Sequence, residues 1–84
     1  MYFVYILQSS IDKSFYIGYT GNVDNRLYEH NFGKTGYTSL KRPWKLIYKE
    51  EYFTRGEAVK REKYLKRLKN KRYLESLILK NSAA

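Results

Sequence analysis

The chain has 84 residues, ten of them tyrosine and none cysteine, and it carries a formal net charge of +9. This length allows one domain with a small core, and the lack of cysteine excludes disulfides and thiolate metal sites. The apolar run over residues 2–7 is too short for a signal peptide or a membrane span, so we expect a cytoplasmic protein without a membrane partner.

Two strands and a loop are predicted at the start of the chain. Residues 2–7 are apolar throughout, which indicates a strand that is covered on both faces and is therefore central in its sheet. The polar residues 8–14 predict a loop, and a second strand follows over residues 15–20.

The antiparallel pairing of these strands places two tyrosines together. The register that we predict sets Tyr5 directly opposite Tyr16 on one face of the sheet. It also sets Gly18 opposite Phe3, and a glycine inside a strand usually marks the close approach of a ligand or of another backbone. We therefore expect a pocket beside the two tyrosine side chains.

The first helix is predicted over residues 23–32. Asn22 is a favourable N-cap residue, and Val23, Leu27 and His30 recur on one face of the helix. That face should pack on the sheet, so the imidazole is expected near the tyrosines.

The middle of the chain is predicted to contain a loop, a third strand and a second helix. Residues 34–43 are rich in polar and basic residues and are expected to form a mobile loop that can close over a phosphate backbone. Aromatic and branched residues favour a strand over residues 44–53. Thr54 and Glu57 have the spacing of a capping box, which predicts a helix over residues 55–69.

A final helix is predicted to pack Leu74, Leu77 and Ile78 against the sheet, with residues 81–84 as a frayed tail of a single domain over residues 1–80. The predicted fold class is α+β, a small three-stranded antiparallel sheet flanked by helices, in a protein that we expect to be a monomer.

The positive charge is concentrated in the second half of the chain. Between Arg55 and Arg72 there are nine basic residues and two acidic ones, so this segment carries +7 of the total of +9. A concentrated basic field attracts the phosphates of nucleic acid, whereas an interfacial membrane helix also needs a broad apolar face. The pattern favours a nucleic-acid partner, although a solvated helix face would have the same composition.

Two charged residues are predicted to lie on helix faces that meet the sheet. Glu62 lies on an apolar stripe that ends at Leu68, so its carboxylate is expected to point toward the sheet. Arg26 lies one turn before His30 and can reach the same region. For Glu62 the alternative is an exposed ion pair with Lys66.

Taken in order, these residues resemble the GIY-YIG nuclease domain. The first motif is degenerate, with Phe3-Val4-Tyr5 in place of Gly-Ile-Tyr, and the second is intact as Tyr16-Ile17-Gly18. Residues 20–30 resemble the arginine helix of the family, and residues 57–62 resemble the segment that supplies its metal-binding glutamate. The likeness extends over nearly the whole chain and is greatest to the short, stand-alone bacterial members.

The resemblance implies a Mg²⁺-dependent endonuclease that hydrolyses a phosphodiester bond, with Mn²⁺ able to substitute. It implies that Glu62 binds the metal ion and that Arg26 holds the scissile phosphate. Tyr5 would deprotonate or orient the attacking water, with its pKa lowered by the nearby cations, and His30 would accept the phenol proton. Tyr16 would orient substrate or water, and the roles of the two tyrosines can be exchanged.

The expected substrate is DNA rather than RNA, in repair or in the cleavage of particular DNA structures. Residues expected to contact the nucleic acid are Gly18, Tyr19, Lys34, Lys41, Arg42, Arg61 and Lys66. A domain this small has little surface for recognition, so the resemblance also implies a targeting protein partner or a shape-specific substrate. The alternative function is a basic nucleic-acid-binding protein without catalytic activity.

Two positions depart from the family pattern. Phe3 replaces the first glycine of the first motif, and Tyr19 stands where some relatives have a lysine that assists catalysis. Neither change removes a core catalytic group, which argues against an inactive domain and leaves a weakly active enzyme as the alternative.

Overall fold

A three-stranded antiparallel sheet and three helices form the fold in the computed structural model, which describes residues 1–33, 40–68 and 70–82. In chain order the elements are β1 (Tyr2–Ser9), β2 (Phe15–Thr20), α1 (Val23–Phe32), β3 (Trp44–Tyr52), α2 (Arg55–Leu68) and α3 (Lys71–Ser82). The predicted fold class and all six predicted elements are confirmed. None of the helices in these ranges is long and apolar enough to cross a membrane.

The first strand is central, as predicted, because the strand order is β2-β1-β3. Its alternating side chains are buried on both faces of the sheet. Val4 and Ile6 pack with residues of α2 and α3, whereas Tyr5 and Leu7 pack with Trp44 and with residues of α1. The sheet therefore separates two apolar clusters, and Tyr5 belongs to the one beneath α1.

The predicted register of the β1–β2 hairpin is wrong by two residues. Tyr5 is paired with Gly18, not with Tyr16. The strand continues through polar residues to Ser9, whose amide donates to the carbonyl of Ser14 at 2.9 Å, so the turn is tighter than the sequence suggested. Because side chains alternate with a period of two, this even shift leaves both tyrosines on the predicted face.

An irregularity in β3 explains its uneven alternation of apolar residues. Ile6 pairs with Tyr48 and Leu7 pairs with Leu46, so Ile47 is an extra residue in the ladder. As a result Leu46 joins the cluster beneath α1, and Ile47 joins the cluster beneath α2 and α3.

Side-chain hydrogen bonds hold α1 at both ends. The predicted N-cap is confirmed, since the Asn22 side chain accepts from the amide of Asn25 at 3.0 Å. In the last turn the Asn31 side chain donates to the carbonyl of Trp44 at 3.0 Å and accepts from its amide at 2.6 Å. These two bonds fix the end of the helix that carries His30 to the start of β3.

An ion pair fastens α2 to the sheet. Arg61 donates two hydrogen bonds to Glu50 of β3, at 2.9 and 3.0 Å, and the phenols of Tyr48 and Tyr52 donate to the same carboxylate. Burial alone would raise the pKa of Glu50, but these hydrogen bonds outweigh it and hold that pKa below its ordinary value. The residue after Arg61 is Glu62, so this ion pair also fixes where Glu62 lies.

The start of α2 matches the sequence prediction, but its inward face is shorter than predicted. The capping box at Thr54 is confirmed, because its amide donates to the Glu57 carboxylate at 3.1 Å and its hydroxyl accepts from the Glu57 amide at 3.2 Å. The inward stripe of α2 stops before Leu68, which is 39% exposed.

Two further predictions concern the segments between and after these elements. The predicted loop over residues 34–43 lies largely outside the described residues. The last helix, α3, continues to Ser82 and so extends into the segment that we expected to fray.

Candidate active site

A cavity of about 360 Å³ opens at the edge of β2, between α1 and α2. Its walls bring together groups from four elements, which are Tyr2, Tyr5, Tyr16, Gly18, Tyr19, Thr20, Gly21, Arg26, Arg55 and Glu62. Four of the five predicted catalytic residues line it, and the fifth, His30, lies directly behind Tyr5. The clustering that the sequence predicted is therefore present in the fold.

The glycine of the second motif makes room for the Tyr5 side chain. A Cβ atom at Gly18 would lie 2.5 Å from the Tyr5 hydroxyl oxygen and 2.7 Å from the adjoining ring carbon. Any larger residue would push the ring out of its place. The glycine marks a close approach, as expected, but the group that approaches is the phenol of Tyr5 itself.

Tyr5 and His30 form a buried hydrogen-bonded pair. The Tyr5 hydroxyl oxygen lies 3.0 Å from Nε2 of His30, and the two residues are only 2% and 7% exposed. The ring of Tyr16 packs edge-on against the imidazole, with centroids 4.7 Å apart. Tyr16 therefore confines the imidazole, whereas Tyr5 makes the hydrogen bond to it.

Burial keeps both members of this pair uncharged. It raises the pKa of Tyr5 well above its ordinary value, Tyr16 raises it further, and Arg26 opposes the shift without reversing it. Burial likewise lowers the pKa of His30, and Arg26 lowers it further. The expectation that nearby cations lower the pKa of Tyr5 therefore does not hold for the protein alone. The result is a hydrogen bond between a neutral phenol and a neutral imidazole, in which the tautomer of His30 decides which group donates.

Arg26 and Glu62 of the cavity both have ion-pair partners, but their side chains differ in exposure. The Arg26 side chain is 47% exposed, and its Nε lies 3.3 Å from Oε1 of Glu29. The Glu62 side chain is 13% exposed and lies 3.6 Å from Nζ of Lys66. The two alternatives for Glu62 thus coexist, because the same carboxylate lines the cavity and pairs with Lys66.

The donor set of the cavity is suited to a hard cation that keeps most of its water. Glu62 is the sole carboxylate among the described residues that line it. Nowhere in ranges 1–33, 40–68 and 70–82 do three or more His, Cys, Asp or Glu side chains cluster as a metal site. Mg²⁺ is commonly bound by one or two carboxylates together with waters and substrate phosphates, so a single glutamate fits that ion better than zinc.

The residues predicted to contact nucleic acid divide into two groups. Gly18 and Tyr19 line the cavity, and Lys66 lies beside it with Nζ 5.9 Å from the centroid of the Tyr16 ring. Arg61 does not face the cavity, since its guanidinium is engaged by Glu50. The charge pattern of α2 could not show this, because the partner lies on β3.

The remaining predicted contacts lie away from the cavity walls. Lys41 forms an ion pair with Asp12 at 2.8 Å. Arg42 donates to the carbonyls of Asn31 and Gly33 at 3.0 and 3.2 Å, where it caps the end of α1. Lys34 lies outside the described residues.

Arg55 is a cavity residue that the sequence reasoning did not select. Its Nη2 donates to the hydroxyl of Tyr19 at 3.0 Å, which places a second guanidinium on the cavity wall. In the sequence it is one of nine basic residues in its segment. Its position directly after Thr54, at the start of a helix, was the available signal.

Comparisons with known proteins find a family model and several relatives that match this chain. The family model of the GIY-YIG catalytic domain matches residues 1–75. A UPF0213 protein of Staphylococcus epidermidis is 46% identical over 66 residues, which cover 77% of this chain and 79% of the relative. A UPF0213 protein of Syntrophus aciditrophicus is 44% identical over 68 residues, or 79% of this chain and 77% of that protein.

A solved structure shows the same fold. The solution NMR structure of a UPF0213 protein from Bacillus halodurans matches with a TM-score of 0.58 and 35% sequence identity. The match covers 93% of this chain and 83% of that one.

Proposed function

Because this chain belongs to the GIY-YIG catalytic domain family, which implies nuclease activity on a nucleic acid, we propose that it is a metal-dependent DNA endonuclease. The observation that carries the proposal is the meeting of Arg26, Glu62 and the Tyr5–His30 pair at one cavity. Packing alone does not require this, since Glu62 is a largely buried carboxylate beside a buried polar pair, and burying a charge is costly.

Two guanidinium groups would hold the substrate phosphate. Arg26 and Arg55 both line the cavity, and an arginine can grip phosphate oxygens through two parallel N–H donors. Arg26 would exchange its ion pair with Glu29 for the phosphate. That exchange is inexpensive because both side chains are about half exposed and such surface pairs contribute little.

The Tyr5–His30 hydrogen bond would serve as a proton relay. As the water attacks phosphorus, its proton would pass to the Tyr5 oxygen while the phenol proton passes to Nε2 of His30. Tyr5 would therefore act as a base without first becoming a phenolate, which its raised pKa disfavours. This geometry supports Tyr5 as the proton acceptor and leaves Tyr16 to orient the imidazole and the substrate.

The single cavity carboxylate would bind the metal ion. Glu62 would hold Mg²⁺, with Mn²⁺ able to substitute, and the rest of the shell would come from water and a phosphate oxygen. When bound, the ion would supply positive charge that polarises the phosphate and stabilises the leaving oxygen. Lys66 would be released from Glu62 and become available to the substrate backbone.

The proposal is tested by cleavage assays on plasmid, flapped and branched DNA and on RNA of the same structures. Mg²⁺ or Mn²⁺ should support cleavage and a chelator should abolish it. Glu62→Gln and Arg26→Ala should each lower the rate by about 10²-fold or more, because each removes a charge from the transition-state environment. Glu51→Gln and Arg72→Ala change the same residue types at exposed positions outside the cavity and should stay near the wild-type rate.

The alternative function predicts a different result from the same assays. A non-catalytic binder would cut no substrate with either metal ion, and its affinity for nucleic acid would survive Glu62→Gln. Cleavage that persists undiminished in both cavity variants would also contradict the proposal.

A further inference from the structure

A second cavity of about 250 Å³ adjoins the first along β2. It is lined by Phe15, Tyr16, Ile17, Leu65, Lys66 and Leu74. The two cavities share Tyr16, and Lys66 on the wall of the second forms the ion pair with Glu62 on the wall of the first. The second cavity is therefore within reach of a chain molecule that is bound at the first.

The interior of this second cavity is apolar. Leu65, Leu74 and Ile17 are buried, and Phe15 is half-buried beside them. Side chains that can form hydrogen bonds occur only at its margin, as Tyr16 and Lys66. A charged or strongly polar group would lose its hydration here without replacement, so the occupant must present an apolar face.

The margin of the cavity carries positive charge beside aromatic rings. Nζ of Lys66 lies 5.9 Å from the centroid of the Tyr16 ring, and Nζ of Lys71 lies 5.8 Å from that of Phe15. A flat aromatic group joined to anionic groups matches this pattern, since the ring can stack while its phosphates meet the two ammonium groups. A nucleotide has that chemistry, whereas an apolar peptide side chain has no use for the cations.

We infer that this cavity binds one unpaired nucleobase next to the scissile phosphate, an inference that rests on the function proposed above. A volume of about 250 Å³ corresponds to roughly eight water molecules. That is room for a single base. A base inside a duplex is stacked and paired, so it must be unpaired before it can enter a cavity in the protein. The preferred substrate would then carry a single-stranded nucleotide at the cleavage point.

The test combines oligonucleotides that lack one base with a variant that lacks the aromatic ring of Phe15. Single-stranded oligonucleotides that carry one abasic residue at successive positions are bound to the Glu62→Gln chain, so that affinity is measured without cleavage, at one fixed salt concentration. One position should weaken binding by about 5- to 100-fold, the effect of losing one base–aromatic stack. In the Glu62→Gln/Phe15→Leu variant, an abasic residue at that position should weaken binding no more than one at any other position.

A matched control variant and a separate fluorescence measurement complete the experiment. Phe32 is an exposed aromatic residue on α1, so Glu62→Gln/Phe32→Leu should keep the position-dependent penalty. If Phe15→Leu does not fold, as judged by circular dichroism, a 2-aminopurine base at the sensitive position should still lose fluorescence by stacking when it binds the chain with Phe15 intact.

Two outcomes would overturn the inference. A penalty that is the same at every position, or one that Phe15→Leu leaves unchanged, would mean that no base enters the cavity, even if the chain cleaves DNA. Absence of both binding and cleavage by the wild-type chain would instead contradict the proposed nuclease function itself.

Discussion

Burial separates the Tyr5–His30 pair of the candidate active site from Arg26. Tyr5 and His30 are 2% and 7% exposed and are held uncharged, whereas Arg26 keeps nearly half of its side chain in solvent. In the proposed mechanism, proton transfer would fall to the buried pair and phosphate binding to the exposed arginine. If the arginine were buried and the Tyr5–His30 pair exposed, a charge would be buried without a partner.

The lowered pKa of His30 predicts the acid limb of the activity profile. In the proposed relay His30 must be neutral to accept the Tyr5 proton, and burial lowers its pKa below the ordinary value of about 6.5. The value of kcat/KM should therefore stay level above pH 6.5 and fall at lower pH, with a midpoint below that of a free imidazole. Cleavage rates measured from pH 4.5 to 8.5 test this.

The His30→Gln variant provides the control for this profile. Its rate should fall by about 10²-fold or more, and the residual rate should lack the acid limb. The free energy of unfolding of the wild-type chain should also decline below about pH 6.5, since the unfolded chain takes up the imidazole proton first. A midpoint at or above 6.5, or an unchanged limb in His30→Gln, would contradict the relay.

Single residues also show how far sequence reasoning reaches. The types and order of Tyr5, Tyr16, Arg26, His30 and Glu62 were enough to place all of them around one cavity. Sequence could not tell which tyrosine meets the imidazole, because that depends on side-chain direction and not on spacing. It also could not show that burial outweighs the effect of Arg26 on the Tyr5 pKa, because burial depends on packing in the folded chain.

At the level of secondary-structure elements, the position of α2 depends on a contact with β3. Arg61 and Glu50 form two hydrogen bonds, and their side chains are 23% and 15% exposed. The charge run had indicated Arg61 as a nucleic-acid contact, because a sequence pattern does not reveal which cation has a partner on a distant strand. The ion pair instead holds the helix that carries Glu62 against the sheet.

Replacing Glu50 should therefore affect both stability and activity. We expect Glu50→Gln to lower the free energy of unfolding by about 1–3 kcal/mol, because it leaves a half-buried guanidinium without its charged partner. Denaturant unfolding followed by circular dichroism measures this. Cleavage per folded molecule should also fall as Glu62 loses its fixed position.

The neighbouring glutamate is the matched control for this change. Glu51 is exposed, so Glu51→Gln should stay within about 0.5 kcal/mol of the wild-type stability. Equal losses in the two variants would show that the ion pair does not fasten α2.

The β1–β2 hairpin shows why the elements were easier to predict than their pairing. Apolar runs, capping residues and turn signals are local, and they placed every element near its observed ends. Register depends on where the turn closes, and the polar Gln8 and Ser9 belong to the strand although their composition favours a loop. The prediction that Tyr5 and Tyr16 lie on one face still holds, because a register shift of two residues keeps each side chain on its own face of the sheet.

On the scale of the whole molecule, the basic charge surrounds an edge strand that both cavities share. The net charge is +9, and Arg55, Lys66 and Lys71 all lie beside β2 or its cavities. Such a field draws in a polyanion from a distance, while the aromatic and apolar walls act only on contact. The basic residues would thus attract the nucleic acid from a distance, and the aromatic and apolar residues of the same edge would select among substrates on contact.

The dependence of binding on salt should reveal which cations take part. Each phosphate contact releases counterions, so log K should fall linearly with log salt concentration, with a slope of about −0.7 per contact for a single strand. Lys66→Gln should make the slope shallower by about one contact, because Lys66 lies between the two cavities. Fluorescence anisotropy titrations from roughly 50 to 300 mM salt give both values.

Lys80→Gln is the matched control, since it removes the same charge from an exposed position on α3 that lines neither cavity. Its slope should equal that of the wild-type chain, because only cations that touch phosphates release counterions on binding. If Lys66→Gln and Lys80→Gln reduce affinity equally and leave the slope unchanged, the attraction comes from net charge alone. The bound strand would then not follow the edge of β2, and the cavities would have no common ligand.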